Sequence, residues 1–368
     1  MRNRSKSVWL LLAIIAFPVL AGCPQPKIID DIRIVQALGF DYKNPKNVMA
    51  TLAAPVFQKG GGGGAQSAKT DSYAIQARKG RQVKDLLDTE SQHPLEFAKL
   101  MVTLFDTHLA KSGIFEYVDL LNRDPEIGFN MHLAVVDGSV RELLKSQYPS
   151  NPLISVYLND MIEQNTKRNL PTTNLQTFLY GYYAQGMDPF LPLLKKESDH
   201  VEIKGIALFR DDNYVGYLPY DDAFVFKMMN ERFASGSYAA PWDSKHYVSI
   251  ENIGSTVKYH VKNVSGDPNR SEVTIDVKQV GYMRTSSIGL RPKQYVTTLQ
   301  QKMEKDLEHK GQKILRNLQK KRVDPLQIGD RVRSYTRNWD SHEWDDYYPH
   351  ASIKLHVKVR IVQTGIIE

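Results

Sequence analysis

Apolar positions follow two different patterns along this chain. In the first half, apolar runs of strand length, such as residues 48–57, 100–104 and 131–136, alternate with stretches of helical periodicity. This alternation predicts helices packed on a sheet. Near the end of the chain, residues 353–361 alternate strictly between apolar and polar side chains. Such alternation is typical of an antiparallel sheet with one face in water, which we expect for the carboxy-terminal half.

A long amphipathic helix is predicted over residues 293–322. Its apolar stripe consists of Val296, Leu299, Met303, Leu307, Ile314, Leu315 and Leu318. The opposite face is rich in lysine and arginine. Two interpretations of this basic face stay open, namely a solvated surface, which is favoured, and a contact with anionic lipid.

The domain organisation follows from length and from one polar stretch. A chain of 368 residues predicts two or three domains. Prolines and charged residues between positions 188 and 199 mark the best candidate boundary. We therefore expect an α+β or mixed α/β protein of about three domains, each with a mostly antiparallel or mixed sheet packed by helices. Residues 32–190 form an N-terminal α/β region of two expected subdomains, and residues 200–368 form a C-terminal α+β domain.

The amino terminus has the layout of a signal peptide. Arg2, Arg4 and Lys6 precede an uncharged run over residues 7–20. Its apolar core of about 13 residues is too short to cross a bilayer as a helix. The run ends in Leu20-Ala21-Gly22-Cys23, which closely resembles the bacterial lipobox.

Cys23 is the only cysteine in the chain and stands where lipidation requires it. We predict cleavage between Gly22 and Cys23, which removes residues 1–22 and leaves residues 23–31 as a tether. The Cys23 thiol is expected to carry diacylglycerol, with N-acylation of the new amino terminus as an option. Such an anchor holds the protein to membrane lipid and places the folded body outside the cytoplasmic membrane.

Charge and cysteine content narrow the chemistry. The formal net charge of +7, from 48 basic and 41 acidic residues, is too small for a nucleic-acid-binding protein of this size. A single cysteine excludes internal disulfides, cysteine-based zinc sites and iron–sulfur clusters. The glycine run at residues 60–64 has no helical pattern after it, so it is interpreted as a mobile loop without nucleotide. No cofactor or metal is expected.

The sequence offers one dense polar and aromatic cluster and no established catalytic motif. HExxH and GxSxG patterns do not occur. The cluster consists of Trp339, His342, Glu343, Trp344, Asp345, Asp346, Tyr347 and Tyr348. General acid–base chemistry on a sugar polymer is one interpretation. We favour an amphipathic packing segment with tryptophan inward and carboxylates outward, and predict no catalytic residue.

Several short motifs resemble one family in their order and spacing. They are the lipobox, Ala37-Leu38-Gly39-Phe40-Asp41, Leu109-Ala110-Lys111-Ser112-Gly113-Ile114, Arg123-Asp124-Pro125-Glu126-Ile127, Gly205-Ile206-Ala207-Leu208-Phe209, Val215-Gly216-Tyr217-Leu218, Asp324-Pro325-Leu326, Ile328-Gly329, Trp344, Tyr348-Pro349 and a closing strand through Gly365. The chain resembles the Ger(x)C family, the lipoprotein C subunits of spore germinant receptors. It departs from the family at Pro24-Gln25, where Trp-Asp is common, and at Gln327, where glycine is usual.

The resemblance implies a receptor subunit needed for spore germination, without enzymatic activity. It further implies a fold of three mixed α/β domains, attachment to the outer face of the spore inner membrane, and partnership with integral-membrane A and B subunits. Two other classes stay open on the residues alone. One is a lipid-anchored enzyme of cell wall or cortex, which requires convergent carboxylates. The other is a solute-binding lipoprotein, which requires two similar lobes with parallel strands.

Overall fold

A computed structural model describes residues 32–58, 67–78, 83–149, 151–263, 271–286, 292–337 and 339–364. The predicted signal peptide, the tether and the glycine run at residues 60–64 lie outside the described residues, and so do Gly22 and Cys23. The predictions for these segments stay predictions.

The amino-terminal two thirds of the described chain build one large sheet. The strands are β1 (Arg33–Ile34), β2 (Ala37–Asn44), β3 (Asn47–Gln58), β4 (Ser67–Arg78), β5 (Leu95–Glu96), β6 (Val102–Asp106), β7 (His132–Val136), β8 (Phe190–Lys196), β9 (Val201–Arg210) and β10 (Asn213–Pro219). β1 and β5 form a separate parallel pair, and the others form a sheet in the order β10–β9–β8–β7–β6–β2–β3–β4. Its four central strands β2, β6, β7 and β8 are parallel.

Helices cover both faces of this sheet. They are α1 (Val83–Thr89), α2 (Thr107–Lys111), α3 (Phe115–Arg123), α4 (Val140–Lys145), α5 (Ile154–Lys167) and α6 (Leu175–Tyr183). Apolar residues of α4 and α5 pack on one face, and those of α1, α2, α3 and α6 pack on the other. Burial on both faces explains why the central strands are nearly continuous apolar runs, since every residue of β6 is buried.

The carboxy-terminal third builds a second sheet. Its elements are α7 (Ala223–Asn230), β11 (Ser237–Pro241), β12 (Tyr247–Asn263), β13 (Ser271–Ser286), α8 (Pro292–Lys321), α9 (Ile328–Arg333), α10 (Ser341–Tyr347) and β14 (Ser352–Thr364). The sheet order is β11–β12–β13–β14. Helix α8 spans nearly the predicted range, and β14 alternates buried and exposed residues as its sequence predicts.

The expectation of an antiparallel carboxy-terminal sheet is wrong for its last strand. β11, β12 and β13 are antiparallel neighbours, but β14 pairs with β13 in parallel. A parallel pair needs a long crossover connection, and the chain between these strands contains α8, α9 and α10. Alternation along a strand reports which face is buried and does not report the direction of its neighbour.

Helix α8 also covers the open edge of β14. The side-chain oxygens of Gln300, Glu304 and Glu308 accept hydrogen bonds from the backbone N–H groups of Ile361, Val359 and Val357 at 2.9–3.0 Å. The amide of Gln312 donates to the Ile353 carbonyl at 2.9 Å. Four helical residues rise about 6 Å and two strand residues rise about 6.6 Å, so the two spacings match. We call this set of contacts the edge ladder.

One hydrophobic cluster extends through both sheets. It includes residues from Ala37 in β2 to Ile361 in β14, together with the buried face of α8. Residues 188–199 are the stretch in which the sequence predicts a domain boundary. In the structure this stretch contains β8, which pairs with β9 in the large sheet. The predicted mixed α+β fold, with several sheets packed by helices, is confirmed.

Candidate interaction surface at the junction of the two sheets

The junction between the two sheets is held by two aspartates, of which Asp324 is buried and Asp188 is half-buried. Asp188 lies in the loop 184–189, between α6 and β8. Its carboxylate oxygens accept hydrogen bonds from the backbone N–H groups of Asp211, at 3.0 Å, and Asp324, at 2.7 Å. The Asp188 N–H in turn donates to the Asp324 carbonyl at 3.0 Å. These bonds join the loop to the β9–β10 turn and to the segment after α8.

Asp324 continues the same network towards α9. Its two carboxylate oxygens accept from the N–H groups of Ile328, at 3.0 Å, and Gly329, at 2.7 Å. Burial raises the pKa of Asp188 to about 6 and that of Asp324 to about 7, against the opposing effect of the backbone donors. The two carboxylates therefore titrate close to neutral pH.

Two backbones approach closely beside these aspartates. Gly186 has φ of +74°, and a Cβ atom there would lie 2.6 Å from the carbonyl carbon of Gly329. The Gly186 carbonyl accepts a hydrogen bond from the Asp330 N–H at 3.0 Å. Gln327, where the resembling family usually has glycine, is left-handed with φ of +61°. That conformation explains the family preference, because glycine adopts it without steric cost.

A cleft of about 470 Å³ opens over this junction. It is lined by Tyr182, Tyr183, Ala184, Gln185, Gly186, Met187, Asp188, Arg210, Asp211, Arg322, Asp324, Ser341, His342, Trp344, Asp345 and Tyr348. Both arginines are already engaged. Arg210 donates to the carbonyl of Arg322 at 2.8 Å, and the Arg322 guanidinium lies 3.5 Å from Asp346.

The sequence cluster at residues 339–348 forms one wall of the cleft. Trp344 is buried and packs against Trp339 and Tyr348, with ring centroids 5.5 and 5.9 Å apart. The exposed residues of this segment are His342, Glu343, Asp345 and Asp346. The predicted packing segment, with tryptophan inward and carboxylates outward, is confirmed for these residues.

Aromatic side chains continue the surface beyond the cleft. Phe115, at the start of α3, stacks on Tyr182 with centroids 3.9 Å apart. Tyr183 meets both rings edge-on, at 5.7 and 5.3 Å. Tyr180 is 54% exposed and Tyr183 is 63% exposed. A smaller cleft of about 390 Å³ also borders loop 184–189 and is lined partly by Tyr180 and Met187. We call Phe115, Tyr180, Tyr182, Tyr183 and the larger cleft the tyrosine surface.

A second concave region lies at the carboxyl ends of the parallel strands. This cleft of about 880 Å³ includes Asp41, Asp106 and Asp137. Asp41 accepts from the N–H groups at the start of α4, Asp106 caps α2, and Asp137 pairs with Lys204 at 2.6 Å. Each carboxylate thus has a structural role. Within the described residues, no group of three histidine, cysteine or acidic side chains is arranged to hold a metal ion.

Two features could not be found from the sequence, namely the aspartate junction and the stacking of Phe115 on Tyr182. In the sequence, Asp188-Pro189 indicates only a boundary and Asp324-Pro325 only part of a motif, although Asp324 is buried and Asp188 is half-buried. No signal links Phe115 to Tyr182, because they belong to different helices.

None of the described helices combines the length and the apolar character that crossing a bilayer requires. Cys23, the predicted site of lipid attachment, is not among the residues that the structure describes.

Comparison with known proteins defines the class. A family model described as spore germination protein N-terminal domain matches residues 25–196, and one described as spore germination B3/GerAC like, C-terminal, matches residues 204–365. The chain thus belongs to the Ger(x)C family of spore germinant receptor C subunits.

Individual relatives align with this chain over nearly their whole lengths. The chain is 30% identical to the spore germination protein GerQC of Bacillus cereus, over 98% of this chain and 99% of that protein. It is 22% identical to the spore germination protein KC of Bacillus subtilis (strain 168), over 98% and 95%. The crystal structure of the GerBC protein matches with a TM-score of 0.57 at 18% identity, covering 88% of this chain and 96% of that one. The latter likeness shows a shared fold.

Proposed function

We propose that this chain is the lipid-anchored C subunit of a nutrient germinant receptor. In this role, Cys23 carries the lipid, the folded body lies on the outer face of the spore inner membrane, and the protein assembles with integral-membrane A and B subunits. It acts by holding those subunits through a broad surface and turns over no substrate.

The observation that carries this proposal is the end-to-end similarity to GerQC, which spans both family domains. The structure supports a role in assembly. Its exposed tyrosines lie beside a loop that the Asp188 hydrogen bonds hold in place, whereas the acidic residues at the strand ends have structural roles in the fold. Large exposed aromatic side chains are typical of surfaces that bind other proteins.

The direct test is affinity purification of the tagged full-length chain from detergent-solubilised spore membranes. We expect two integral-membrane subunits to co-purify in comparable amounts, and mass spectrometry to find diacylglycerol on Cys23. Cys23→Ala should abolish the modification and lower the recovery of both subunits. Recovery of the unmodified chain without membrane partners would contradict the proposal.

The enzyme alternative is tested in the same strain. His342→Gln, Glu343→Gln and Asp346→Asn remove three exposed titratable groups of the cluster and leave the buried Trp344 in place. We expect germination to persist. Its loss with normal folding, lipidation and partner levels, or wall-polymer cleavage by the purified protein, would favour chemistry at this cluster. A solute-binding role would instead show as saturable nutrient binding by the purified chain alone.

A further inference from the structure

We propose that the tyrosine surface is the docking site for a polypeptide segment that carries basic side chains. The inference rests on the proposed function, in which the partner is another receptor subunit, and it names the surface and the chemistry of the contact.

The aromatic groups supply the apolar part of such a contact. Tyr180 and Tyr183 stand more than half exposed on the outer side of α6. Phe129 is 53% exposed at the other end of the same helix, where its carbonyl accepts from the Gln176 N–H at 3.2 Å. Tyrosine buries a large area with few rotatable bonds, so its ordering on binding costs little entropy.

The charges around these rings favour a cation. Burial raises the pKa of Tyr182, and the nearby carboxylates of Asp212, Asp211 and Asp119 raise it further. Asp345 lies on the opposite wall of the cleft, where burial and then Asp211 raise its pKa. A lysine or arginine placed here gains both from these carboxylates and from the faces of the aromatic rings.

The cations already in the cleft do not cancel this preference. Arg210 is directed at the carbonyls of Lys321 and Arg322, and Arg322 faces Asp346. Asp119 is paired with Arg123 at 2.7 Å, and Asp212 accepts from the Phe115 N–H at 2.9 Å. Among the described residues, neither Asp211 nor Asp345 forms an ion pair within 4 Å, although Arg210, His342 and Arg322 lower the pKa of Asp345 from a greater distance. They are the two carboxylates that an incoming basic side chain can use.

The surface is already organised in the free protein. Loop 184–189 is pinned on one side by Asp188 and on the other by the contact of Gly186 with the start of α9. Binding therefore orders little of this chain, so the entropic cost of ordering takes little from the binding free energy.

Position in the fold places a membrane partner within reach. In the register of the parallel strands, Val102 is the direct partner of both Ala37 and His132. Because Val135 pairs with Leu193, Phe190 in β8 lies at the same height along the sheet as these residues. The loop that ends in Pro189 thus lies at the sheet end where the chain enters from the amino terminus. Residues 23–31 span at most about 30 Å when extended, so this end stays near the lipid that Cys23 is proposed to carry.

Site-specific photo-cross-linking in spores tests the surface. The full-length chain receives p-benzoylphenylalanine in place of Tyr183 or, as a matched control, in place of Tyr247, which is 52% exposed in the second sheet. We expect a cross-link from position 183 to a peptide containing lysine or arginine, and at least a tenfold lower yield of that product from position 247. Cross-linking of position 183 to lipid alone, or to no polypeptide, would overturn the inference.

The charge contribution is measured separately. Asp211→Asn with Asp345→Asn should lower recovery of the cross-linked peptide at least threefold and weaken its dependence on salt. Asn is suitable at position 211 because that residue is left-handed, with φ of +53°. An unchanged yield and salt dependence would overturn the basic-segment chemistry.

The outcomes separate this inference from the proposed function. If the wild-type chain co-purifies with membrane subunits but position 183 does not cross-link, the surface is wrong and the function stands. If position 183 cross-links to a basic peptide of a protein outside the receptor, the docking surface stands and the proposed partners are wrong.

Discussion

The two sheets of this protein bury their strands in different ways. In β6, Leu104 and Phe105 are neighbours and both are fully buried, because one faces each of the two core clusters. In β14, Val357 is buried whereas Lys358 beside it is exposed. The centre of the large sheet is therefore an interior layer, and the small sheet has a buried face and a solvent-exposed face.

The difference also concerns how the sheet edges are closed. The four parallel strands of the large sheet are flanked by hairpins, so their backbone groups pair within the sheet. The outer edge of β14 is covered by polar side chains of α8 in the edge ladder. An uncovered edge of this length would present backbone groups to other chains and favour aggregation. Polar residues facing a sheet edge can therefore belong to the architecture.

The largest effects are expected from buried charge, and they distinguish the two sheets. Leu104→Asp, Phe105→Asp and Val357→Asp should each destabilise the protein by about 3–5 kcal/mol, because an unpaired carboxylate would be buried. Lys358→Gln should stay within about 0.5 kcal/mol. Thermal unfolding of the purified variants measures these differences. Tolerance of aspartate at position 104 or 105 would contradict two-sided burial of β6.

The edge ladder should contribute less, but measurably. Glu308→Ala leaves the Val357 N–H without its acceptor and should cost roughly 1.5–3 kcal/mol. Lys305→Ala, on the exposed face of the same helix, is the matched control and should be nearly neutral. Denaturant unfolding gives the free energies, and light scattering should show faster aggregation of the Glu308 variant. Equal stability of the two variants would show that the ladder is not needed at this edge.

The aspartate junction predicts a pH dependence with an unusual sign. The folded pKa values of Asp188 and Asp324, about 6 and about 7, lie above the ordinary value of 3.8. The native state then holds protons that the unfolded chain has released, so this contribution to stability is full below pH 4 and is lost as pH rises through 6 to 7. We expect a loss on the order of 4 kcal/mol between pH 5 and pH 8.

The control for this effect is Asp188→Asn with Asp324→Asn, which removes both titrating groups. The difference in unfolding free energy between the wild type and this variant isolates their contribution from that of the histidines. If both proteins changed equally between pH 5 and pH 8, the two carboxylates would not be the source.

The smallest expected effect is at Gln327. Gln327→Gly should raise the unfolding free energy by about 0.5–1 kcal/mol, because glycine adopts the left-handed backbone without strain. Gln327→Ala should bring no gain, since alanine keeps the Cβ atom. Melting temperatures of the two variants test the distinction, and a gain with alanine would refute the conformational explanation.

The sequence alone determined those features that depend on neighbouring residues. The facing of β14, the extent of α8 and the inward orientation of Trp344 all follow from local periodicity. The short motifs that resemble the Ger(x)C family are also local, and the comparison with known proteins confirmed membership in that family. These predictions succeed because side chains repeat with the period of the element that carries them.

Only the tertiary structure decided which distant residues meet. The parallel pairing of β14 depends on the path of the chain through α8 to α10, which periodicity does not encode. Asp188 and Asp324 are 136 residues apart, and Phe115 meets Tyr182 from a different helix. The junction and the tyrosine surface exist because the cores of both sheets merge and bring these segments together. Contacts of this kind arise from the packing of whole elements, so no local pattern in the chain could reveal them.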